Sequence, residues 1–304
     1  MTRSIIHKDF KRNRYIYLMA LPVLAYYLLF HYQPMYGAII AFKDFTPAGG
    51  ILGSPWAGLK HFHTFFTGPY AFRLIRNTFL ISFYELIFGF PAPLLLAILL
   101  NEILATRYKR VIQTLSYLPH FISLVVICAL IKNFTASTGL VNDIIAFFFG
   151  KKARSTLLQD PSNFRTIYVV SGIWQGVGWG SIIYLAAISK IDQQLYEAAI
   201  IDGAGRFARM VHVTLPGILP TIIIMLILRM GSLMSVGFEK VFLLYNTGIY
   251  ETADVISTYV YRRGIIDTDW SFSAAVGLFN SIVNFILVVT ANFISRKVSE
   301  TSLW

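Results

Sequence analysis

A few side chains stand where their chemistry has to be answered. Arg229 and Glu85 fall inside long apolar runs, where a charge costs about 2.5–3.5 kcal/mol on insertion scales and must face protein or water. Arg229 has two readings of equal standing. It is either a cation donating forked hydrogen bonds to the hydroxyls or carboxylate of a solute, or half of an ion pair with Glu85 as a candidate partner. On a continuous helix Ser232 and Val236 would share its face, with Gly231 and Ser235 beside it. Asn280, Asn284 and Asn292 recur at close to whole helical turns, a stripe that faces protein and either lines a path or bonds a neighbouring helix. Trp174, Gln175 and Trp179 combine ring faces with an amide, which suits stacking on a polyhydroxylated solute. Ordinary interfacial packing is the plainer reading of Trp179. Phe238 and Glu239 follow the fifth apolar run and would stand at its mouth.

Other chemistry is excluded. A phosphate-binding Gly-x-x-x-x-Gly-Lys-Ser/Thr loop is missing, since Gly150-Lys151-Lys152 lacks both the hydroxyl residue and the upstream glycine. The chain is therefore not expected to bind ATP or any other cofactor itself. Gly176, Gly178 and Gly180 are spaced unlike a dinucleotide loop and read as helix packing. The six histidines form no i, i+4 ligand pair. His61 and His63 could share a metal only on an extended strand, and a solvated loop is the stronger reading. The single Cys128 can form no internal disulfide and reads as a small buried apolar residue. No metal site is expected, and an enzyme is hard to assemble from these parts.

The elements that must position these groups cross a membrane. Of 304 residues 56% are hydrophobic and 13% charged, against about 25% charged in a soluble domain. Mean hydropathy is +0.62. Apolar runs of spanning length cover 15–42, 77–100, 111–131, 167–188, 216–237 and 272–295. The first is too long for a signal-peptide core and reads as an uncleaved span. Pro91 and Pro93 predict a kink in the second. The net charge of +11 lies beside the runs rather than on one polar face, so it orients the chain in a bilayer and does not imply nucleic acid.

Thirteen Lys and Arg crowd the short segments 1–14, 101–110, 189–215 and 296–304, while twelve are spread over 43–76, 132–166 and 238–271. That density places both termini inside the cell. The three long segments are expected to be ordered caps on the outside. The chain reads as a basic cytoplasmic N-terminus, 1–14, and one transmembrane domain, 15–304.

One long mixed polar stretch, 191–216, interrupts the apolar pattern. A short helix from Gln193, a break at Asp202-Gly203, a second helix over 204–213 and Pro216 in the first turn of the next span make it a docking loop. Alanine and glycine admit another surface closely, and Glu197, Asp202, Arg206 and Arg209 supply charge.

Glu197-Ala198-Ala199, Gly203 and Val213-Thr214-Leu215-Pro216 resemble the EAA loop of permease subunits of binding-protein-dependent ABC importers, with Val213 for the usual isoleucine. Arg76-Asn77-Thr78 resembles the start of that family's permease core. Tyr32-Gln33-Pro34-Met35-Tyr36-Gly37, Ala41-Phe42-Lys43-Asp44, the segment 237–246 and Ser302-Leu303-Trp304 resemble its polysaccharide-type, LplB-like carbohydrate branch.

The resemblance implies an all-α, six-span permease of the type I, MetI-like kind. It would pair with a homologous second permease as a heterodimer, the family's usual arrangement. Two ATP-binding subunits, carrying the ATP and Mg, would couple through Glu197, Ala198, Ala199, Asp202, Gly203, Ala204, Arg206 and Pro216. An extracytoplasmic solute-binding protein would deliver the oligosaccharide, and Arg229, Trp174, Gln175, Ser232, Ser235, Phe238, Glu239, Asn280 and Asn284 would form the substrate path. A non-sugar importer and a gradient-driven secondary transporter are the rival readings; the latter leaves the loop unexplained.

Overall fold

The computed structural model describes residues 12–299. Arg3, Lys8, Lys11 and the Ser302-Leu303-Trp304 end lie outside them. Among the described residues there are helices and turns, with one isolated antiparallel bridge between Lys43 and Trp56 and no strand. Six helical stretches among the described residues are long and apolar enough to cross a membrane: Arg14–Phe42, Ala71–Asn101, Leu124–Phe149, Pro161–Ile188, Arg206–Met230 and Trp270–Lys297. Helices satisfy every backbone group internally, as a hydrocarbon medium demands. Contacts group the chain into two compact units, Met1–Thr67 with Arg262–Leu278, and Gly68–Tyr261 with Phe279–Trp304.

In the first unit, α1 (Arg14–Tyr27) continues through a wide turn at Leu28–Tyr32 and ends in the 3₁₀ stretch Tyr36–Phe42. No residue of α1 is buried among the described residues, and its apolar side chains point to all sides. Helix α2 (Lys60–Thr67) is fastened to the preceding loop by Asp44, which accepts from Lys60 Nζ at 2.9 Å and meets the His61 ring at 3.1 Å. The Lys60 hydrogen bond holds the Asp44 carboxyl below its ordinary range. His61 and His63 therefore lie on a helix, not on a strand or in a loop. Two residues apart there, they point about 200° away from each other. His61 is buried against the Lys43 carbonyl and His63 is exposed, so the pair cannot share a metal.

In the second unit the second span is α3 (Ala71–Tyr84), a wide π turn at Glu85–Gly89, and α4 (Pro91–Asn101). The predicted kink takes this form. Pro91 has no N–H to give, and Phe90 N reaches back five residues to the Glu85 carbonyl at 2.9 Å.

The third run is not one helix. Residues 111–117 belong to the amphipathic α5 (Thr106–Tyr117), Pro119 interrupts the chain at Leu118–Phe121, and α6 (Leu124–Thr135) restarts on a Ser123 cap. The apolar stretch runs on through α7 (Leu140–Phe149) after a bend at 136–139. Helix α8 (Pro161–Ile188) opens on the Asp160 cap.

The 191–216 loop holds α9 (Gln193–Ile201) and α10 (Arg206–Arg209), which passes through a π turn, Met210–Thr214, straight into α11 (Leu215–Met230). The second loop helix thus starts two residues later than expected and has no end of its own.

The fifth span also stops at Met230, seven residues short of the expected 237. Gly231 ends the helix, and Asn284 on α14 (Trp270–Ser299) holds the unwound chain, accepting from Met234 N at 2.8 Å and donating to Ser235 Oγ at 2.9 Å. Ser232, Ser235 and Val236 consequently do not share a helical face with Arg229.

Two short helices, α12 (Phe238–Leu244) and α13 (Ile256–Tyr261), close the far end. Asn77 ties that end to the second span by donating to the carbonyls of Glu251 and Asp254 at 2.8 and 3.0 Å, while Thr78 accepts from Ile256 N at 3.0 Å. One core cluster, around Ile81, Ile127, Phe164, Tyr168, Val241 and Leu244, sits at this end. Another, around Ala97, Ile98, Tyr184, Ile188, Ile191 and Ile218, sits at the loop end.

Candidate functional site

The charges at membrane depth come together. Arg229 Nη2 donates to Glu85 Oε2, pairing spans five and two. The π turn matters here, because it sets Glu85 at a wide point of its helix. The pair lies at one side of a groove of 260 Å³ whose walls include Gly89, Pro93, Gly172, Gly176, Gly180 and Tyr184.

A third charge joins it. Lys240 on α12 is 7% exposed, donates to the Tyr168 carbonyl at 2.8 Å and stands 4.5 Å over the Tyr168 ring. Burial pushes its ammonium down to about 8 from 10.5, with the Glu85 charge opposing the fall. Gly172 permits this convergence, since a Cβ there would meet Lys240 Nζ at 3.2 Å and Glu85 Oε1 at 3.9 Å. Lys240 follows the end of an apolar run and carries no periodic signal, so sequence reasoning did not place it here.

The other three glycines of α8 divide. A Cβ on Gly178 would collide with the Ser116 carbonyl, and one on Gly180 would lie 2.9 Å from Pro93, so both are packing positions. Gly176 has open space and lines the groove.

The aromatic candidates stand elsewhere. Trp174 borders a separate apolar cavity of 390 Å³ with Phe134, Val141 and Val170, and does not share the Arg229 groove. Gln175 is half-buried beside it in sequence. Trp179 stacks flat on His120 at 4.6 Å and 2°, with the edge of Phe121 against it, where the third span is broken. Phe238 stacks with Phe242 and Tyr261, and Glu239 is exposed. Asn284 is engaged with the 231–235 turn, which makes it a helix-bonding residue, while Asn280 keeps a buried Oδ1 without a hydrogen-bond partner among the described residues.

The 191–216 loop is anchored at both ends and open between them. Asp192 caps α9 by accepting from Gln194 N at 3.0 Å. Tyr196 Oη shares a hydrogen bond of 2.9 Å with Thr214 Oγ1, and Ile191 fills the place a side chain on Gly217 would take. Gly203 ends the helix at φ +77°, a left-handed turn that favours glycine, and Ala204 N closes it on the Ala199 carbonyl at 2.8 Å. Between these anchors Glu197, Ala198, Asp202 and Arg206 are exposed, together with Leu195, Ile200, Ile201 and Phe207. Ile201 is 85% exposed. Apolar side chains on a rigid, charged projection mark a protein contact.

Residues 89–300 match the family described as binding-protein-dependent transport system inner membrane component. Protein LplB of Bacillus subtilis (strain 168) is 46% identical over 295 residues, covering 97% of this chain and 92% of that protein. The polygalacturonan/rhamnogalacturonan transport system permease protein YteP of the same organism is 45% identical over 311 residues, covering 99% and 96%. A crystal structure of a bacterial alginate ABC transporter in complex with an alginate pentasaccharide-bound periplasmic protein contains a chain that matches with a TM-score of 0.89. Its identity is 42%, over 97% of this chain and 99% of that one.

Proposed function

Because the chain belongs to the family of binding-protein-dependent transport system inner membrane components, we propose that it is one permease of an ATP-driven importer. Its cargo is an oligosaccharide or polysaccharide fragment, and it works beside a homologous second permease, two ATP-binding subunits and an extracytoplasmic binding protein. The observation that carries the reading is the loop of α9: fixed to spans four and five at its ends, and exposed, partly apolar, between them. Such a loop passes a push from the ATPase subunits to both spans together, and alternating access follows from biasing a two-state bundle. ATP and Mg belong to the partner subunits. Both termini and the loop face the cytoplasm, as the density of Lys and Arg supports.

Carbohydrate cargo is supported by YteP, whose name specifies polygalacturonan and rhamnogalacturonan, and by the alginate transporter. Within this chain the Glu85–Arg229–Lys240 cluster contributes net positive charge to the path, which suits an acidic saccharide. Gln175, Ser232, Ser235 and the Phe238–Glu239 corner are proposed as its polar and entrance positions. Trp174 is retained as a path residue only on the side of its own cavity, and Asn280 and Asn284 as the wall behind the path.

Gly203→Asp tests the coupling. A side chain at 203 meets no neighbour within the chain, so the change strains the left-handed turn by about 1–2 kcal/mol and intrudes on the docked surface. In a complex reconstituted with its binding protein, saccharide-stimulated ATP hydrolysis and uptake should both be lost while binding-protein docking is kept. Unchanged uptake would refute the role given to the loop. Uptake of labelled oligogalacturonate, against neutral maltooligosaccharide and a peptide, tests the cargo.

A further inference from the structure

At the loop end of the second unit lies an open polar cavity of 560 Å³ that the transport path does not use. Its walls include Asn101 at the end of α4 and Glu102 just beyond it, Ser189 beyond α8, and Gln193, Tyr196, Arg206 and Arg209 of the 191–216 loop. Arg206 and Arg209 are three residues apart and so lie on one side of their helical turn. Among the described residues neither guanidinium makes a hydrogen bond or ion pair, and Glu102, in the same cavity, reaches neither. Two guanidinium groups converging on one cavity without a carboxylate between them are an unanswered demand for an anion.

We propose that this cavity binds a phosphate group carried on a hydroxylated molecule. Two forked donors present more N–H groups than the two oxygens of one carboxylate can take in plane, whereas a phosphate offers three terminal oxygens or, as a diester, two with a full charge between them. Leu104, Ile188 and the Tyr196 ring supply the apolar part of the lining, and the remainder is polar. Asn101, Ser189 and Gln193, with Glu102 as an acceptor, match hydroxyl groups set a few ångströms from the phosphate.

Two sources carry this chemistry: a soluble sugar phosphate in the cytoplasm, and a phosphatidylglycerol headgroup from the adjoining leaflet. Either would tie the 191–216 loop to the ends of spans two and four at once. On the reading of the loop given above, that restrains the element which transmits the ATPase stroke; binding itself does not depend on that reading.

The assembled importer in phosphatidylcholine nanodiscs is titrated with glucose 6-phosphate by calorimetry. In parallel, nanodiscs containing phosphatidylglycerol are examined by native mass spectrometry for retained lipid. Saturable binding of at least one probe is expected. It should weaken about tenfold for Arg206→Gln and for Arg209→Gln, the loss of a charge-assisted bond each, and strengthen for Glu102→Gln, which removes the like charge. The soluble arm alone assigns a metabolite, the lipid arm alone a headgroup, and both together the shared phosphate. Failure of both probes to bind overturns the proposal, as does binding indifferent to the arginines or weakened by Glu102→Gln. Should the arginine variants not assemble with the ATPase subunits, Glu102→Gln and Asn101→Ala, which lie outside the loop, decide it. A transport arm separates the consequence from the site: phosphate binding without any slowing of uptake leaves the site standing and refutes the role of the loop.

Discussion

Removing one charge at a time from the Glu85–Arg229–Lys240 cluster should have unequal effects. Arg229→Met leaves Glu85 with a second cation nearby, Lys240, whose charge it already feels. Glu85→Gln leaves Arg229 with no carboxylate. Lys240 can release its proton near pH 8, but an arginine cannot deprotonate in this range.

Breaking a fully buried pair costs about 3–5 kcal/mol. The side chains here are 36% and 23% exposed, so the cost of Glu85→Gln is placed at roughly 2–3 kcal/mol and that of Arg229→Met at about 1 kcal/mol or less. At about 2–4 °C per kcal/mol for a chain of this size, the expected falls in melting midpoint are about 5–10 °C and under about 4 °C. The assay is thermal unfolding of the detergent-solubilised complex at pH 7, with the double variant Glu85→Gln/Arg229→Met recovering most of the loss. An Arg229→Met loss equal to or above that of Glu85→Gln would refute the charge arrangement.

Three further outcomes are expected. Gly178→Ala should cost more than about 3 kcal/mol, because its methyl meets the Ser116 backbone, whereas Gly176→Ala, facing open space, should express and melt like the parent; expression and thermal unfolding check both. Asn284→Ala strips the Met234 N–H of its acceptor, a loss of about 1–3 kcal/mol, and hydrogen exchange should quicken at 231–236 with little change elsewhere. Lys240 titrates near 8 folded and 10.5 unfolded, so between those values the unfolded chain holds the proton and stability rises with pH. Melting midpoints measured across that window should climb, and Lys240→Met should flatten the climb.

The spans were legible because apolar length is a strong signal, and the loop because its glycine, its proline and its charges stand against an apolar background. The misplaced helix ends have two origins: some are set by tertiary bonds, others by local signals inside an apolar run. Gly231 and Ser232 mark where the helix can stop, but what holds the chain unwound beyond them is Asn284, some fifty residues away. The third run is continuous in hydropathy and broken in space because Pro119 and the Ser123 cap act locally within it. Pairing of Arg229 with Glu85 was open in the sequence, since each needed a partner; Lys240 was invisible, since its burial is a property of where α12 lands.

The wide turn at Glu85–Gly89 amounts to one surplus residue in an otherwise regular helix, and register arithmetic follows from it. The five residues of that turn wind about as far as four of an ordinary helix, so deleting one there would restore ordinary winding and leave everything beyond it facing almost the same way. Pro93 would stay against Gly180, the contact that brings α4 close to α8. A deletion in the regular helix on either side would instead turn all that follows by about 100°, so length is freer to vary along 85–89 than in the helix that flanks it.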